Sequence, residues 1–99
     1  MDTLQKLEML KEVYADEAEL AQVLEKLLSV ALDQQRHRLK RYEADLHEFE
    51  TRYGMDSAAF YGQFEAGELG DAMDFCEWAG LFELRQDLLE KIRRLESAT

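Results

Sequence analysis

The chain predicts an all-α fold, and three features carry that expectation. It has 99 residues and no proline, so nothing in it removes a backbone donor from a long helix. Leu, Glu, Ala, Lys, Arg and Gln dominate, and these are the strong helix formers. Val, Ile and Thr are scarce, which leaves strands little support. A chain of this length reads as one domain, residues 1–99, with a modest core.

The first element is a long helix over residues 2–53. Positions 4, 7, 11, 14, 18, 21, 25, 28, 32, 35, 39, 42, 46, 49 and 53 alternate three and four apart, and twelve of these fifteen are apolar or aromatic. That is the spacing of a seam facing another helix. Lys11, Glu25 and Gln35 interrupt it, as a solvated edge or as a register-setting polar contact. Leu20, Leu24, Leu27 and Ala31 widen the apolar face, which suits bundle packing. Asp16-Glu17-Ala18-Glu19 has the form of a capping box. The helix is therefore either continuous or broken near residue 15.

Gly54 suits the left-handed position that ends a helix, and Asp56 or Ser57 suits the cap of the next. A short helix follows over 57–66, stopped by Gly67. Gly70 frees a turn, Asp71 is a candidate cap, and a last helix runs over 72–96. Phe75, Trp78, Ala79, Phe82, Leu88, Leu89, Ile92 and Leu95 give that helix its apolar face. The expected architecture is an antiparallel helical hairpin. A first helix of about 37 to 50 residues is about 55 to 75 Å long, and a last helix of about 25 residues covers about half of it. The uncovered stripe calls for a partner, so a homodimer is expected, closing into a bundle or coiled coil. Its seam would use Leu28, Leu32, Leu39, Tyr42, Leu46 and Phe49.

Charge narrows the function. The net charge is −10, and residues 54–80 hold six acids and no base. Phosphate contacts come from Lys and Arg, so this balance counts against nucleic acid as a partner. The one basic cluster, Arg36-His37-Arg38-Leu39-Lys40-Arg41, is spread round a helix and flanked by Asp33, Glu43 and Asp45. No apolar run reaches the roughly 20 residues of a membrane span, and Cys76 is a lone thiol. The cytoplasm is the expected compartment.

The residues offer no reaction. His37 and His47 stand ten apart, outside any metal-ligand spacing. Cys76 sits among acids, which blunt a thiol. Ser29, Ser57 and Ser97 lack a nucleophile's context, and Gly67-Glu68-Leu69-Gly70 has the wrong spacing and charge for a phosphate cradle. No catalytic residue, metal or cofactor is expected, and the protein is read as a non-enzyme. The candidate site is instead an acidic-aromatic corner: Phe60, Tyr61, Phe64, Glu65, Glu68, Asp71, Asp74, Phe75 and Trp78. Acids beside rigid aromatics suit a basic protein partner. The same residues also suit a plain helical corner, with acids at helix N-termini.

The stretches RYGMDSAAFYGQFEAGELGDAMDFCEWAGLFEL and LLEKIRRLE, within residues 52–96, resemble a group of small all-helical bacterial and archaeal proteins. Cys76 stands where that group is expected to carry a second aromatic. The resemblance implies a protein-binding role, as the smaller helical partner in two-gene units of toxin–antitoxin type. It implies no particular functional residues. The rival readings are a scaffolding helical dimer and, resting on residues 36–41, a DNA-binding regulator.

Overall fold

Asp2 opens the first helix with a reciprocal cap. Its carboxylate accepts from the Gln5 amide at 2.8 Å, and the Gln5 side chain accepts from the Asp2 amide at 2.9 Å. Two amides that a helix end leaves free are thereby satisfied. In the computed structural model, which describes residues 1–99, this helix is α1 (Thr3–Val13). The chain then breaks. Asp16 starts α2 (Glu17–Tyr53), its carboxylate accepting from the Ala18 amide at 2.9 Å. Of the two alternatives near residue 15, the structure takes the break. The long dimension of the molecule is 57 Å, and α2 alone is about 56 Å at 1.5 Å per residue. Helix α1 therefore does not prolong the rod but turns off its end.

Gly54 closes α2 at φ 64°, in the left-handed region, with its amide donating to the Glu50 carbonyl at 2.8 Å. Helix α3 (Ser57–Glu65) follows at once, and a link with Gly67 and Gly70 at φ 76° and 77° leads to α4 (Met73–Ala98). Asp71 is not its cap. Ala72 holds that position without a side-chain hydrogen bond. Asp74, in the first turn, supplies the negative charge there.

Helix α4 returns antiparallel along α2. Arg52 pairs with Asp74 at 2.9 Å, Glu43 with Arg85 at 3.4 Å, and Arg36 with Glu96 at 2.9 Å. As the number falls along α2 it rises along α4. These pairs are largely solvated and worth less than about 1 kcal/mol each, so they report the register more than they stabilise it. Apolar packing holds the hairpin in two clusters. Leu46, Phe60, Trp78, Ala79 and Phe82 form the larger, with Phe49 against it. Leu32, Leu88 and Ile92 form the smaller, with Leu39 and Tyr42 against it.

This packing corrects the expected dimer seam. Leu32, Leu39, Tyr42, Leu46 and Phe49 are used inside one chain, because α4 and α3 lie on that part of α2. Of the expected set, Leu28 alone stays outside both clusters, half-buried. Gln35 is no solvated edge either. It is half-buried, and its amide oxygen is shielded without a partner in the chain. On the N-terminal side of Leu32 no residue is buried, and α1 has none at all. The radius of gyration is 19.4 Å, against about 13 Å for a compact chain of this length.

Candidate interaction surfaces

The acidic-aromatic corner is built around Trp78. Its ring stacks on Phe60 with centroids 3.8 Å apart and planes 2° from parallel. Phe49 and Tyr53 of α2 stack near it at 5.6 and 5.7 Å. Phe60 and Trp78 are both 0% exposed. A buried indole needs a partner for its N–H, and Ser57 supplies it. Trp78 Nε1 donates to Ser57 Oγ at 2.9 Å, and Ser57 Oγ donates to the Glu50 carboxylate at 2.8 Å. The same carboxylate accepts from the Ser57 amide at 2.9 Å. Asp56 accepts from the Ala58 and Ala59 amides at 2.8 and 3.1 Å. Two carboxylates thus serve the first turn of α3, and one of them also pins the tryptophan.

That geometry corrects two members of the expected docking corner. Phe60 and Trp78 are core and reach no partner, while Tyr61, Phe64 and Phe75 are half-buried against the same cluster. Tyr61 packs against Phe82 with the rings tilted 31° and their centroids 4.7 Å apart, and it donates its hydroxyl to Glu83 at 2.6 Å. Hydrogen bonding to that carboxylate, with burial adding to it, pushes the Tyr61 hydroxyl above the ordinary tyrosine value. Asp74 accepts from Tyr53 and Arg52, which hold its carboxyl below the usual carboxylate range. Glu65, Glu68 and Asp71 are exposed, and none forms an ion pair with a basic side chain of the chain.

A polar cleft of about 410 Å³ beside the corner is lined in part by Glu43, His47, Glu50, Ser57 and Arg85. Its serine is buried and committed to Glu50 and Trp78. His47 stands out in solvent, with Nδ1 3.9 Å from Glu50 rather than against the hydroxyl. The arrangement is a structural lock. No three His, Cys, Asp or Glu side chains come together as metal ligands.

The other end of the molecule is different. Twelve large hydrophobics are exposed, and nine lie within residues 1–30: Met1, Leu4, Leu7, Met9, Leu10, Val13, Leu24, Leu27 and Val30. Leu4 is 72% exposed and Val13 67%. Single exposed apolar residues are ordinary, but a cluster on one arm makes that arm a candidate interaction surface. Sequence reasoning gave the face over Leu32–Phe49 to a second copy, whereas α3 and α4 cover it within the chain. Leu24 and Leu27 stay exposed instead, because α4 is too short to reach them. Family models, curated proteins and solved structures offer no match to this chain. No helix is long and apolar enough to cross a membrane.

Proposed function

We propose that the protein is a non-catalytic protein–protein interaction module whose working surface is its N-terminal arm, α1 and residues 17–31 of α2. The observation that carries this reading is the concentration of exposed large hydrophobics on that arm, away from both apolar clusters. An 11-residue helix without tertiary packing is marginal in water. Helix α1 gains its stability by being covered, and the corner serves to stiffen the far end of the rod that presents it.

A second reading adds a basic protein partner at the corner, in the manner of an antitoxin covering a toxin's basic site. Glu65, Glu68 and Asp71 favour it, being exposed and without a paired cation. In this reading the acids alone make contact, since the largest aromatics beneath them are core. The exposed His37, Arg38, Lys40 and Arg41 leave room for a phosphate contact, but the overall charge of −10 opposes a nucleic-acid role.

Site-specific photo-crosslinking in expressing cells tests the first reading. A photoreactive residue at Leu7 or Leu24 is expected to give discrete protein adducts, and one at Glu12, across α1 from Leu7, is expected to give few. Adduct yields that ignore the apolar stripe would remove the arm from the proposal. Reversing charge at Glu65, Glu68 and Asp71 tests the second: unchanged adducts and unchanged co-purification of a basic protein would exclude the corner.

A further inference from the structure

We infer that the arm's partner is a second copy of this chain, and that α1 of each copy lies in the groove between α2 and α4 of the other. The inference rests on the proposed role of the arm and adds the occupant and its seat. The groove, about 670 Å³, is lined by the apolar Phe49, Leu81 and Leu84 and by the exposed carboxylates Asp45, Glu48 and Glu77. Leu84 is 51% exposed there, the one large hydrophobic of α4 beyond its first residue left uncovered. Gly80 lies between Glu77 and Leu81, and a side chain added at it would meet no atom within 4 Å. Glycine is a poor residue for mid-helix. Nothing inside the chain asks for the space it leaves, whereas a helix lying across α4 would.

Helix α1 fits this groove in shape and charge. At 3.6 residues per turn, Leu7 and Leu10 form the centre of its apolar face. Lys6 and Lys11 fall about 70° to either side of that centre, and Glu8 and Glu12 on the far side. Two lysines bracketing an apolar strip meet a groove lined by three exposed carboxylates. Lys11 pairs with Glu8 at 3.5 Å in the lone chain, a solvated contact that exchanges at little cost. The lengths also match. Leu4 to Val13 spans about 14 Å and Cys76 to Leu84 about 12 Å.

Reach decides which copy supplies the helix. From Glu17, the start of α2, to Asp45 is about 42 Å along the rod. Helix α1 is about 16 Å long, and the link Tyr14–Asp16 adds at most about 10 Å. A chain cannot fill its own groove. In a two-fold pair with the α2 rods antiparallel, Glu17 of one copy lies beside Asp45 of the other. The axis then passes near Ala31, midway between them, and the exposed Leu24, Leu27 and Val30 of both copies meet around it. The exchange covers both apolar features that a single chain leaves open, in an isologous contact that closes on itself.

The single native thiol, Cys76, lines the groove and makes the test direct. A tagged full-length chain carrying Cys76→Ser and Leu10→Cys is mixed with wild type and treated with a short bis-maleimide. A tagged–untagged dimer is the expected product. The same chain with Glu12→Cys in place of Leu10→Cys should give at least about ten-fold less, because Glu12 faces away from the groove. Equal yields, no product, or a monomer in light scattering at the cross-linking concentration would overturn the inference. In a second arm, Gly80→Met fills the groove and should weaken self-association about ten-fold or more without lowering the melting temperature of the dissociated chain. Paired reversal, Glu48→Lys and Glu77→Lys, should weaken it about ten-fold, with Lys6→Glu and Lys11→Glu restoring it. Association indifferent to Gly80→Met places the arm elsewhere. If photo-adducts then still follow the apolar stripe, the arm remains an interaction surface for another protein; if they do not, both proposals fall.

Discussion

The two ends of this rod solve opposite problems with similar residues. At the C-terminal end of α2, aromatics from three helices converge on Trp78, and every buried polar atom there has a partner. At the N-terminal end, leucines of comparable number stay in solvent because no second element reaches them. The difference is one of return path. Helix α4, at 26 residues, spans about 39 Å of a 56 Å rod. A heptad is informative about which residues want cover, and chain length decides which of them the chain itself can cover.

The largest break in this comparison comes from the corner's centre. Trp78→Ala or Phe60→Ala removes a fully buried ring and should cost about 3–5 kcal/mol in urea unfolding. For a domain with only nine buried residues, that is most of the stability at the low end of the usual range, about 5 kcal/mol. Ser57→Ala should cost about 1–3 kcal/mol by the same measurement, because it leaves the Trp78 N–H without a partner inside the core. A loss under about 0.5 kcal/mol would show that the Glu50–Ser57–Trp78 chain is not a lock.

Asp56→Ala should cost about 1 kcal/mol, the usual loss for an N-cap, and should be felt at α3 in hydrogen exchange. Smaller effects come from pH. The Tyr61 hydroxyl is raised above its ordinary value of 10.0 by Glu83, so its bond stabilises the fold fully below pH 10. That contribution is lost as pH rises through the folded value. Thermal stability should therefore decline on the alkaline side of pH 10, and Tyr61→Phe should flatten the decline. Asp74 is lowered, so its contribution is present above its ordinary carboxylate value and disappears as pH falls through the folded one. The smallest expected effect lies at the other end. Leu24→Ser with Leu27→Ser should change the unfolding energy of the dissociated chain by no more than about 0.5 kcal/mol while weakening association.

Much of this architecture was legible in the residues. The absence of proline and the three-four spacing point to helices, Gly54 points to the end of α2, and Asp16 and Asp56 mark where helices start. The break after Val13 was legible only as an alternative, because a cap-like tetrad inside a good helix former has no glycine or proline to decide it. The seam was misplaced for a definite reason. Periodicity is the same for a stripe covered by the chain's own return helix and for one covered by a second molecule. Leu32 and Leu46 answer to the first, Leu24 and Leu27 stay uncovered within the chain, and the difference is set by where α4 ends. Phe60 and Trp78 were misread as contact residues for a related reason. Aromatics beside acids look alike whether the rings point in or out, and the hydrogen bond from Trp78 to Ser57 that turns the indole inward joins residues twenty-one apart.

Hydrogen exchange measured at two protein concentrations tests the central contrast most directly. Amides of the corner, residues 46–64 and 75–88, should exchange at the same slow rates whether the protein is dilute or concentrated, because their cover lies within one chain. Amides of α1 and residues 20–31 should exchange rapidly when dilute and slow by an order of magnitude or more when concentrated. Arm amides that remain unprotected at every concentration, or that are protected equally at all of them, would contradict the assignment of that surface to a second copy.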